Sequence, residues 1–66
     1  PPRDQEENKL LLLRGERLYE ENLGDDRKVV EHALQRFEMA LNTQDPARIE
    51  SARNDFRDFL NEWEDL

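Results

Sequence analysis

The sequence predicts an all-α protein, an antiparallel three-helix bundle with helices over about residues 4–23, 26–42 and 46–64. Apolar residues advance by threes and fours along most of the chain, which places them on one stripe of each helix. The pattern is broken at two places, Gly24 and Asp45-Pro46. The links at those breaks are only two or three residues long, and short links between helices of about 18 residues force antiparallel neighbours.

The first helix carries Leu10, Leu11, Leu12, Leu13, Leu18, Tyr19 and Leu23, with Gly24 at the position of a left-handed C-cap. Asp4, followed three residues later by Glu7, has the spacing of a capping box. Four consecutive leucines at about 100° per residue cover more than one face. Some of Leu10, Leu11, Leu12 and Leu13 therefore have no partner in a simple three-helix core, and the run reads either as extra core or as a contact with another domain or a second copy, since contiguous exposed apolar surface marks such contacts. Gly15, on the face of Leu11 and Leu18, either permits close helix approach or costs roughly 1 kcal/mol relative to alanine.

The second helix places Val30, Ala33, Leu34, Phe37, Ala40 and Leu41 on one face, with Arg27, Lys28, Glu31, Gln35, Arg36 and Glu38 mostly outside it. Asp25 or Asp26 is expected to cap its start and to complement the positive end of the helix dipole. The third helix is the most regular: Ile49, Ala52, Phe56, Phe59, Leu60 and Trp63 form one stripe among charged residues. The Asp45 carboxylate can accept from unpaired first-turn N–H groups, and the missing N–H of Pro46 costs nothing at the first helical position. The expected core is Leu18, Val30, Leu34, Phe37, Leu41, Ile49, Phe56, Phe59, Leu60 and Trp63.

Composition narrows the function. A 66-residue chain without cysteine must be stabilised by apolar packing in a single small domain. A formal net charge of −7 repels polyanions, so no nucleic-acid partner is expected. No run approaches the roughly 20 apolar residues of a membrane span, and a cytoplasmic protein without a membrane partner is expected.

Candidate chemistry is sparse. Gly15 and Gly24 stand apart and make no phosphate-cradling loop. Ser51 has no histidine in its segment to activate it. His32, the single histidine, has Lys28 and Arg36 one turn away on either side, so a solvated surface role is expected. The pairs Glu6-Glu7, Glu20-Glu21, Asp25-Asp26 and Glu64-Asp65 lack the spacing of a calcium loop and are read as caps and solvated faces. Aromatics at helical spacing, Phe37, Phe56, Phe59 and Trp63, are read as core and not as a ligand box. Glu62, Glu64 and Asp65 sit at the negative end of the last helix, where nothing in the fold asks for them. No catalytic residue, cofactor or metal is assigned, and the chain is not expected to be an enzyme.

The run of residues 25–41, from Asp25-Asp26-Arg27-Lys28-Val29-Val30 to Met39-Ala40-Leu41, resembles the helical lid of Hsp70 (DnaK-type) chaperones. So does the following helix start, Asp45-Pro46-Ala47-Arg48-Ile49-Glu50-Ser51-Ala52, and Leu13-Arg14-Gly15-Glu16-Arg17-Leu18-Tyr19-Glu20-Glu21 is similar to the end of the long lid helix. The link at Gly24 is shorter than in the family, and Phe56, Phe59 and Trp63 stand where the family carries aliphatics, which implies a divergent member. The resemblance implies a C-terminal fragment of a larger chaperone that closes over a β-sandwich peptide cleft and slows peptide release. ATP would be the cofactor of the parent's nucleotide domain and not of this fragment. The implied partners are the chaperone's own substrate-binding domain, client peptides indirectly, and weakly a second copy through Leu10 to Leu13. The alternative is a stand-alone helical protein–protein interaction or oligomerisation module.

Overall fold

The structure, a computed structural model, describes residues 2–66, with side chains described from Asp4 onward. Three helices make it up: α1 (Pro2–Glu21), α2 (Gly24–Asn42) and α3 (Pro46–Glu64). Each packs against the other two, as an all-α three-helix bundle must, in a body measuring 35 × 18 × 16 Å. The long dimension matches the roughly 30 Å that 20 helical residues span.

The buried centre consists of Leu11 and Leu18 from α1, Val30, Leu34 and Phe37 from α2, and Phe56 and Leu60 from α3. Leu12, Tyr19, Ala33, Leu41, Ala52, Phe59 and Trp63 are half-buried around it. Ile49 is half-buried and lies outside this cluster. Among the described residues no polar or charged side chain is fully buried, so the centre is held by apolar packing alone.

Asp45 caps α3 as its chemistry requires: its backbone is extended and its carboxylate accepts from the Ala47 N–H at 3.0 Å, with Pro46 as the first helical residue. The other two caps differ from expectation. α1 already runs through Asp4 and Glu7, so these make no capping box, and Glu7 instead pairs with Arg57 of α3. Neither Asp25 nor Asp26 caps α2. Its cap position is Leu23, extended at φ −132° and without a side-chain hydrogen bond, while both aspartates lie in the first turn. The reason is the backbone of Gly24. Its φ of +60° is the left-handed value expected, but it serves where the chain enters α2, not as the cap directly after α1.

The end of α1 is closed by side chains instead. The Asn22 amide donates to the Leu18 carbonyl at 2.8 Å. Arg27, reaching back from α2, donates through Nε to the carbonyls of Asn22 at 2.7 Å and Tyr19 at 3.1 Å, and through Nη2 to Glu20. Its guanidinium also lies 4.5 Å from the centre of the Tyr19 ring, a cation–π contact. These bonds satisfy carbonyls that have no partner within the helix.

Candidate functional site

No single polar centre draws these helices together, so the candidate sites are faces of the bundle. The leucine run divides by its angular position. Leu11 is 3% exposed and part of the centre, and Leu12 is half-buried against the same cluster. Leu10 and Leu13 are 59% and 60% exposed and point away from both neighbours. The contact expected at Leu10 to Leu13 thus reduces to two side chains on the outer face of α1.

A second face is the groove between α2 and α3, about 360 Å³ in volume. Alanines make it: Ala33 and Ala40 on α2 and Ala52 on α3 leave space that larger side chains would fill, over a floor of Phe37, Phe56 and Phe59. Arg36, Arg48 and Asp55 stand at its rim. Phe37 stacks on Phe56 with ring centroids 5.0 Å apart, and the stack continues to Phe59 at 6.3 Å and on to Trp63 at 5.4 Å. The ladder is buried at its Phe37–Phe56 end and half-open at its Phe59–Trp63 end. Sequence reasoning treats Ala33, Ala40 and Ala52 only as members of apolar stripes; their small size on facing flanks is the signal for the groove.

A third feature is a polar seam between α1 and α3. Arg14 donates to Glu64 through Nη2 at 2.7 Å and through Nε at 3.3 Å, and to the Asn61 side chain at 2.9 Å. Arg53 donates to the Asn8 side-chain oxygen at 2.8 Å, and Arg57 pairs with Glu7. The hydrogen bond from Arg14 holds the Glu64 carboxyl below the usual carboxylate range, against a smaller opposing effect of burial, and the Arg14 guanidinium is raised in turn. Glu64 therefore has a structural use, contrary to the expectation that nothing in the fold asks for it. The seam straps α1 to α3.

His32 is exposed on α2, and Ser51 is exposed at the groove. Among the described residues no group of three or more histidine, cysteine, aspartate or glutamate side chains is placed to share a metal ion. No helix among the described residues is long and apolar enough to cross a membrane. No family model, curated protein or solved structure matches the chain. What the arrangement offers chemically is two apolar surfaces for docking, one convex and one concave, on a braced helical body.

Proposed function

We propose that this chain is the helical lid of an Hsp70-like chaperone, a cytoplasmic protein, and that it closes over a peptide cleft to slow release of apolar segments. What supports the reading is the resemblance of residues 25–41 and 45–52 to such a lid, with Asp25 and Asp26 in the first turn of α2 and Asp45 capping α3, within a bundle of three helices. A lid must move as one body. The polar seam from Glu7 to Glu64 and the Arg27 clasp on α1 support that demand, because they bind the helices to one another at several levels. In this role the bundle does no chemistry of its own. ATP acts in a nucleotide domain outside these residues, and the client peptide is gripped by the substrate-binding domain beneath the lid.

The test is a graft. Residues 4–66 replace the helical lid of a DnaK-type chaperone, and dissociation of a fluorescent apolar peptide is followed with and without ATP. A lid slows release several-fold without ATP and loses that effect with ATP. Release as fast as from the lidless chaperone would overturn the proposal. The α2–α3 groove favours a second reading, a stand-alone interaction module that holds a partner helix against Phe37, Phe56 and Phe59. That module would bind its partner tightly as the 66-residue chain alone, whereas a lid would not.

A further inference from the structure

The outer face of α1 carries a stripe that neither the core nor the polar seam uses: Glu6, Leu10, Leu13 and Arg17, all exposed. They follow one another by four, three and four residues, the spacing of a coiled-coil seam, and fall within an arc of about 60° at 100° per residue. The two leucines are both exposed and lie one turn apart on the same helix. Neither Glu6 nor Arg17 closes an ion pair with the other described residues, although Arg17 also borders a cleft with Trp63 and Glu64 and its charge reaches Glu64.

From this stripe we infer that α1 is the site at which two copies of the chain associate, antiparallel and face to face. The charge order decides the occupant and its direction. An acid lies four residues before the first leucine and a base four residues after the second, so the stripe turned end for end complements itself. Antiparallel pairing sets Leu10 against the partner's Leu13 and Glu6 against the partner's Arg17, and two-fold symmetry repeats both contacts. Lys9 and Glu16, exposed beside the stripe, fall in the same opposition. Parallel pairing would set glutamate on glutamate and arginine on arginine, which is unfavourable.

Four leucines are a small apolar centre, well below that of a standard interface, and each copy is strongly acidic. The dimer is accordingly weak, with a dissociation constant of roughly 0.1–1 mM. The association is independent of the chaperone reading.

Sedimentation equilibrium of the 66-residue chain up to about 1 mM tests it. The wild-type chain forms dimers, and the double variant Leu10→Lys/Leu13→Lys is monomeric. Glu6→Arg alone and Arg17→Glu alone each weaken self-association by about tenfold, because each creates two like-charge contacts per dimer. Mixed in equal amounts, these two variants pair with each other at wild-type strength, since every contact is complementary again. All four positions are exposed, so folding is kept, and circular dichroism verifies it. A wild-type chain that stays monomeric, a dimer that survives the leucine variant, or a mixture no stronger than its components overturns the inference.

Discussion

Gly15 and Gly24 show how one residue type is required for two different reasons. At Gly24 the backbone decides: φ is +60° and a Cβ would meet nothing within 4 Å. At Gly15 space decides. A Cβ there would lie 2.6 Å from Leu34 Cδ2 and 2.7 Å from Phe56 Cζ, side chains from both other helices. Of the two sequence-level readings of Gly15, the structure therefore supports close approach. Alanine would recover roughly 1 kcal/mol of helix propensity while meeting these contacts, so its two effects oppose each other. Valine removes the ambiguity, because its branched side chain must displace Leu34 and the stacked Phe56. We expect Gly15→Val to destabilise the bundle by about 2 kcal/mol, a large share of the roughly 3–10 kcal/mol available to a domain of this size. Urea unfolding measures it, and an unchanged midpoint would show that the core yields at this point.

At the scale of the element, legibility followed how local the chemistry is. The start of α3 could be read because the Asp45 carboxylate, the Pro46 ring and the N–H they serve lie within three residues. The closure of α1 could not, because Arg27 reaches it from the next helix, across a turn whose path depends on Gly24. The leucine run was ambiguous for a geometric reason: four consecutive helical positions point in four directions, and only the placement of α2 and α3 decides which are covered. The candidate faces were legible to the same degree, since Leu10 and Leu13 lay within the expected contact while the alanine-lined groove did not stand out. The exit from α2 adds a residue that periodicity does not reveal. Gln44 follows the Thr43 cap at φ +56°, in the left-handed region, while its N–H donates to the Leu41 carbonyl at 3.3 Å. A side chain in that conformation costs about 1–2 kcal/mol, and the Gln44 side chain is exposed, with no burial to offset it. Glycine keeps the N–H and relieves the strain, less about 0.5–1 kcal/mol for its greater freedom when unfolded. Gln44→Gly is expected to raise the melting temperature by about 2–6 °C. A fall would mean that the turn is not strained.

At the scale of the whole molecule the question is what brings α1 back against α3, since no link joins them directly. Apolar burial of Leu11, Leu18, Phe56 and Leu60 supplies the attraction, and the polar seam fixes one register of it. The pairing of Arg14 with Glu64 contributes a term that pH can isolate. Because the hydrogen bond from Arg14 lowers the Glu64 pKa, the folded chain binds this proton less readily than the unfolded one. The stabilisation is complete above the unfolded value of about 4.3 and is lost as pH falls through the lower folded value. Both side chains are about one-third exposed, at 33% and 37%, so solvent screening limits the pair to roughly 0.3–1 kcal/mol. Glutamine has the shape of protonated glutamate and carries no charge. Glu64→Gln should therefore be less stable than the wild-type chain at pH 7 by that amount, and the difference should shrink in 0.5 M salt, where the Debye length is about 4 Å. Lowering the pH through the folded value should close the gap until the two unfolding curves coincide, once Glu64 of the wild type is itself neutral. A gap that persists there would locate the contribution of Glu64 in its packing and not in its charge, and the register of α1 on α3 would then rest on the apolar contacts alone.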